Sequence, residues 1–534
     1  MPLEVSGLSD IHKALILSAF LSETNKQIIL ITPDEASASS LYDDLISLGV
    51  KAGILPSRDY AIGGFKGYSK EYEHKRIHTL SKILEGSFDV VLLSVESAMQ
   101  IVSPQKVLRE NSLRFKTADT VTTDSIIHRL LGAGYLRCDL VEGVGQFSVR
   151  GGIIDIFAVN ETSPFRIEFW GDEIDTISRF DLDTQRRTDT LSKIAIAPAS
   201  EVLADKDSLT NLLNKYKSSK KKLTDKQIKR IDDDIEAIDN GIGFSYDRYI
   251  SLIYGGSNIF DYCPDSLVVT SEFVAVKERI KNFTLQMNED IKSYLEEGFL
   301  TAGSAKIYLD ETDLLAHIEK GILFDSFMPS SVPFPLKELL TCDFKRNSSW
   351  SGDIKVLKED ISYSLSKGGL AVIAAKSAKS AEILNTDLQG LGINSLYLEN
   401  IKGLPVSGTV VTCGGLSSGF EIPELKFSFI THKYISSEMR PKKKSKAKNA
   451  YNSLEELRQG DYVVHSSHGI GIFDGINRIT NGGITKDYIK IKYAKGDVLY
   501  VPVTQLDLVS KYIGSADEGK IRLNKLGTQE WTRT

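Results

Sequence analysis

The chain has 534 residues, too many for one hydrophobic core, and its 41% hydrophobic and 25% charged content is ordinary for a soluble globular protein. No apolar run is long enough to span a bilayer, and the start MPLEVSGLSDIHKAL lacks the basic and apolar regions of a signal peptide, which points to a cytoplasmic protein without a membrane partner. A net charge of −6 argues against a protein that grips DNA alone over many phosphates, so DNA is expected mainly through a complex with protein partners.

In chain order, residues 1–117 read as α/β, with short buried strands at 27–32 and 89–94 and helical patterns between them. The period changes over 118–198, where strands at 147–149, 153–157, 165–170 and 174–180 are punctuated by glycine turns, as in an inserted α+β domain. Residues 199–345 return to the first module, and the Lys/Asp-rich stretch at 205–238 reads as a solvent-facing helical hairpin. A second, small α/β domain is expected over 350–437, with strands at 370–374, 409–412 and 427–431. A basic linker, 438–455, carries Pro441-Lys442-Lys443-Lys444-Ser445-Lys446-Ala447-Lys448, which reads as a solvated run or as a phosphate contact. The unit at 456–520 is all-β: 488–493 alternates, 494–497 turns, and 498–503 returns with Pro502 at an edge position, which fits an SH3/Tudor-like barrel. The predicted fold class is therefore multidomain α/β and α+β.

Two motifs keep the spacing of a nucleotide site. A P-loop needs G-x-x-x-x-G-K-[ST], so that backbone amides cradle phosphate and a hydroxyl holds Mg²⁺. Gly7-Leu8-Ser9-Asp10-Ile11-His12-Lys13-Ala14 puts His12 where the second glycine belongs and Ala14 where the hydroxyl belongs. The apolar strand that should end in Asp-Glu ends in Ser271-Glu272, without the metal-holding Asp. Singly these are an ordinary loop and strand end. Together, Gly7, His12, Lys13, Ala14, Ser271 and Glu272 form a degenerate P-loop-type module that is not expected to bind Mg-ATP. No catalytic residue, cofactor or metal site is expected. His74 and His78 follow Glu73 rather than flanking a Glu, His465 and His468 read as turn residues, and Cys138, Cys263, Cys342 and Cys413 are far apart.

Two segments carry a family resemblance. GYLRCDLVEGVGQFSVRGGIIDIF (134–157) and FRIEFWGDEIDTISRFDLDTQR (165–186) resemble the domain shared by UvrB and the transcription-repair coupling factors, through which both bind UvrA. GDYVVHSSHGIGIFDGI (460–476) with GGITKDYIKIKYAKGDVLYVPVTQLDLVSKYIG (482–514) resembles the polymerase-interacting domain of the same family, related to CarD-type regulators. KLGTQEW (525–531) resembles the start of the family's connection to its translocase, so 521–534 is read as the beginning of a link to a motor that this chain lacks.

The resemblance implies an adaptor that holds stalled RNA polymerase by its β subunit and recruits UvrA. It is itself not an enzyme, although the family's full-length protein is an ATP-dependent DNA translocase. The family's UvrA contacts fall on Arg150, Arg166 and Trp170, with Phe usual at the last position. Alternation agrees, since Phe165, Ile167 and Phe169 share one strand face and Arg166, Glu168 and Trp170 the other. A neighbouring domain covering Trp170 is the alternative. The polymerase contact falls on Ile479 beside Arg478, with edge-strand addition as the expected mode and a place in the core of a small barrel as the alternative. A stand-alone CarD-like transcription regulator is the competing function.

Overall fold

The computed structural model describes residues 2–62, 70–219, 223–240, 246–328, 332–347, 350, 353–399, 403, 405–431, 459–465, 468–481, 484–502, 508–512 and 523. The basic linker at 438–455 and, Leu523 apart, the segment 521–534 lie outside the described residues.

The first sheet has seven parallel strands in the order Glu338–Thr341, Leu3–Ser6, Ile322–Asp325, Leu267–Ser271, Ile28–Thr32, Val90–Ser94 and Ala52–Leu55. Ile28–Thr32 and Val90–Ser94 are buried at every residue, because helices cover both faces and leave no polar side for alternation to show. Helices Asp10–Glu23 and Glu35–Ser47 bring Ala14, Leu17, Ala38 and Leu41 to one face. Helices Glu71–Leu84, Phe273–Glu296 and Glu311–Ile318 bring Ile77, Val276, Ile280 and Leu314 to the other.

Between these elements runs a six-stranded sheet in the order Arg187–Leu191, Glu173–Phe180, Phe165–Trp170, Ile153–Ile156, Gln146–Arg150 and Leu136–Arg137. Its inner face (Phe147, Ile154, Ile156, Phe165, Ile167, Ile177) joins the same core as the second face of the first sheet. The Lys/Asp-rich stretch forms the expected hairpin. Helices Lys206–Lys217 and Asp225–Asp239 pack through Leu209, Leu213, Ile231 and Ile238, and Asp234 is buried with them, accepting from Arg248 Nη1 at 3.0 Å.

A third sheet has the order Lys345–Asn347, Gly419–Ile422, Phe427–Thr431, Leu370–Ala375, Gly408–Cys413 and Ser395–Tyr397. It docks on the first module, where Ile11 packs with Leu416 and Phe420 and Asp44 accepts from Ser417 N at 2.7 Å and Ser417 Oγ at 2.6 Å.

The last sheet is antiparallel, in the order Val498–Pro502, Ile484–Lys492, Gly469–Asn481, Tyr462–His465 and Val509–Lys511. Alternation holds, with Ile489 and Ile491 fully buried, and Pro502 lies in an outer strand of that order. One expectation is corrected. His465 is a strand residue with no exposure, paired with Gly469 and Val509, and only His468 occupies the turn. Tyr72, from helix Glu71–Leu84, packs into this sheet's core. The architecture is thus mixed α/β with several sheets, as the residue pattern predicts at that level.

Candidate partner-binding site

Across the six-stranded sheet Arg150 pairs with Ile153, which pairs with Glu168, while Ser148, Asp155, Arg166 and Ser178 form the next row on the same face. Trp170 lies two residues beyond Glu168 at the strand's end and is 84% exposed. No neighbouring domain covers it among the described residues. Arg150 is also exposed, at the end of its strand before Gly151. Gly152 lets the hairpin pass close to its neighbour, since a Cβ there would meet Phe169 O at 3.3 Å, and Phe169 N donates to Gly152 O at 2.8 Å.

Arg166 is different. Its Nε and Nη2 donate to Asp155 Oδ1 and Oδ2 at 2.7 and 2.8 Å, and Nη1 donates to Gln185 O at 3.1 Å. The guanidinium also lies 4.6 Å from the centroid of the Phe180 ring. The hydrogen bonds to Asp155 hold its pKa above the ordinary arginine value. The shared face therefore brings Arg150, Arg166 and Trp170 together, but only Arg150 and Trp170 open freely to solvent.

In the first module Lys13 is fully buried. Its ammonium donates to Ser271 Oγ at 2.9 Å and Asp10 Oδ1 at 3.4 Å and pairs with Glu272. Glu272 adopts a left-handed φ of 59° at the start of its helix and also accepts from Ser326 N at 3.1 Å. Gly7, at φ 84°, sits under the strand end that follows Thr341, where a Cβ would lie 2.3 Å from Cys342 O. The His12 ring is 4.9 Å from the Phe344 ring and 6.1 Å from that of Phe420, and Ala14 has no exposure. The chain's own side chains fill the space around the loop. Nearby, burial pushes the Asp325 carboxyl up to about 6, although Phe273 N donates to it at 2.7 Å.

In the last sheet, Arg478 and Ile479 lie in strand Gly469–Asn481 and pair in register with Asp487 and Lys486. Among the described residues no group of three or more His, Cys, Asp or Glu is placed to hold a metal ion, and no helix is long and apolar enough to cross a membrane.

Two family models match the chain: the UvrB interaction domain over residues 113–202 and the CarD-like/TRCF RID domain over 457–513. The transcription-repair-coupling factor of Bacillus subtilis is 30% identical over 99% of this chain and 46% of its own length. Those of Staphylococcus epidermidis and Staphylococcus aureus are 27% and 26% identical over 99% of the chain. The chain is similar throughout to transcription-repair-coupling factors. It spans about half the length of the curated relatives it matches.

A buried network of charges was not legible in the sequence. Arg58 donates to Glu201 at 2.9 Å and to both Asp247 oxygens at 2.8 and 3.0 Å. Arg76, with no exposure, donates to Glu201 from Nε at 2.9 Å and from Nη2 at 3.1 Å, to Pro56 O at 2.7 Å and to Gln100 Oε1 at 3.0 Å. Glu201 is the last residue but one of the matched UvrB interaction domain, so the network ties the end of that domain to the first module. Its members lie up to 189 positions apart, and no local spacing signals them. His74 and His78 also face that domain. Burial lowers the His74 pKa to about 4, and its ring lies 3.0 Å from where a Cβ on Gly145 would sit.

Proposed function

We propose that the chain is the recruiting part of a transcription-repair coupling factor, a non-catalytic adaptor that binds stalled RNA polymerase through its β subunit and brings UvrA to damaged DNA. The observation that carries this reading is the presence of both matched domains in one chain, one offering the exposed Trp170 and Arg150 and the other offering the strand with Arg478 and Ile479. A stand-alone CarD-like regulator is not favoured, because the coupling-factor relatives match over 99% of the chain rather than its last part alone.

The domain plan that fits comprises a degenerate UvrB-like P-loop module (1–117 and 199–345), an inserted UvrA-interacting domain (118–198) and a small α/β domain (350–437). A basic linker (438–455), an SH3/Tudor-like polymerase-interacting barrel (456–520) and a link to a translocase (521–534) complete it. The first module acts as scaffold rather than ATPase. Its Lys13 is held by Ser271 and Glu272, His12 stands where backbone must approach a phosphate, and Ala14 offers Mg²⁺ no oxygen. No cofactor is needed. The site of action is the cytoplasm, where polymerase, UvrA and DNA are found, and DNA is met mainly through that complex.

The test is a pair of pull-downs with the whole chain. Trp170→Ala should lose UvrA and keep polymerase, while Ile479→Arg should keep UvrA and lose polymerase. If each variant retains both partners, the adaptor reading and its surfaces are wrong.

A further inference from the structure

Arginine has five N–H donors, and Arg166 has four of them engaged inside the domain. Nε takes one Asp155 oxygen, Nη2 takes the other and reaches Gln185 Oε1 at 3.4 Å, and Nη1 takes Gln185 O. Asp155 is 3% exposed, so this fork is an internal clamp and not a rim contact. It joins strand Ile153–Ile156, strand Phe165–Trp170 and the turn at Gln185, whose φ of 57° is left-handed. One N–H remains for any partner, and bidentate recognition of a partner's carboxylate needs two.

Two other arginines of the face are more exposed than Arg166. Arg150 is exposed, two strands to one side of the Trp170 strand. Arg187 is two strands to the other side, with 53% of its side chain exposed, and is steered towards that strand by its ion pair with Glu168. Thr176 Oγ1 donates to the second Glu168 oxygen at 3.0 Å. The surface is therefore an exposed indole between two arginines, which fits an apolar recess edged by carboxylates.

We propose that Arg166 is a positioning residue, acting through Asp155 and Gln185 to set the strand that ends in Trp170, and that Arg187 is the cation that joins Arg150 in meeting the partner. This rests on the reading of the face as the UvrA-binding surface. The clamp and the contacts make opposite demands on mutagenesis. A residue that acts through another gives non-additive losses, whereas a direct contact does not need its internal partner.

The experiment measures binding of purified UvrA to the immobilised full chain, with circular dichroism confirming that each variant is folded at the working temperature. Asp155→Ala and Arg166→Ala should each weaken binding by about tenfold, and the double variant should be no worse than either alone. Arg166→Lys should lose as much as Arg166→Ala, because an ammonium cannot form the fork. Arg187→Ala should slow association and reduce its salt dependence. If Asp155→Ala does not fold, Asp155→Asn keeps the volume and removes the charge. The clamp is overturned if Asp155→Ala binds as well as or better than wild type while Arg166→Ala binds worse, and the Arg187 contact is overturned if Arg187→Ala changes neither rate nor salt dependence. Should Trp170→Ala also bind normally, the UvrA reading itself fails, an outcome distinct from loss of the clamp alone.

Discussion

Lys13 and Glu272, 259 positions apart in sequence, form an ion pair at the end of the first sheet, where the lysine of an active phosphate loop would face its nucleotide. The pair turns the motif inward. Lys13 is fully buried, Ser271 supplies its second oxygen, and Ser326 fixes Glu272 from the other side.

Completing the P-loop pattern at positions 12 and 14 is therefore expected to leave the loop without nucleotide. The double variant His12→Gly/Ala14→Thr should show no heat of binding with Mg-ATP by titration calorimetry, because Lys13 stays paired and Cys342 still closes over Gly7. Detectable binding would mean that the motif residues alone had silenced the site.

Breaking the pair from the acidic side should cost stability. Glu272→Gln leaves a buried ammonium with Ser271 and the more distant Asp10, and about 1–3 kcal/mol is expected from the loss of a charged hydrogen-bond partner. A lowered urea midpoint with unchanged slope would register it.

The buried network should be more sensitive. Glu201→Gln removes the carboxylate shared by Arg58 and Arg76 and leaves two guanidinium groups short of counter-charge, with Asp247 still bound to Arg58. A loss of about 3–5 kcal/mol is expected, the range for breaking a buried ion pair from one side. Trp170→Ala is the control, at about 0.5 kcal/mol or less, since the indole is almost wholly in solvent.

Stability should fall on the acid side. His74 is held neutral by burial, opposed by Glu73, with its pKa brought from 6.5 down to about 4. The unfolded chain then binds the extra proton first, so the contribution of His74 is complete above pH 6.5 and is lost progressively as pH falls towards 4. Melting temperature followed from pH 7.5 to 4.5 should decline, and His74→Gln should flatten that decline.

Tyr72 offers a test of how the last sheet is held. It belongs to the same core as Val463, Phe473 and Ile491, while His465 Nδ1 lies 4.0 Å from the neighbouring Glu71. Tyr72→Ala removes an aromatic group from this core, which elsewhere costs about 3–5 kcal/mol. An increased radius of gyration in solution scattering, with an unchanged far-ultraviolet spectrum, would show the sheet released but folded.

Local chemistry determined much of this protein. Period-2 alternation placed Arg166, Glu168 and Trp170 on one face of a strand, and runs of Ile, Leu and Val at 28–32 and 90–94 marked strands covered on both sides. At His12, Ala14 and Ser271 the departure from a P-loop pattern can be read directly, because that pattern's requirements are set by spacing along the chain. Only the tertiary structure decided what the charges do. Whether Arg166 points to a partner or to Asp155, whether Lys13 is free or paired with Glu272, and whether His465 is a turn residue or a buried strand residue all depend on groups brought together by folding. Strand periodicity fixes the face on which a side chain stands. It does not fix which distant carboxylate, ring or carbonyl already waits there, and hydrogen bonds and burial are decided by that neighbour.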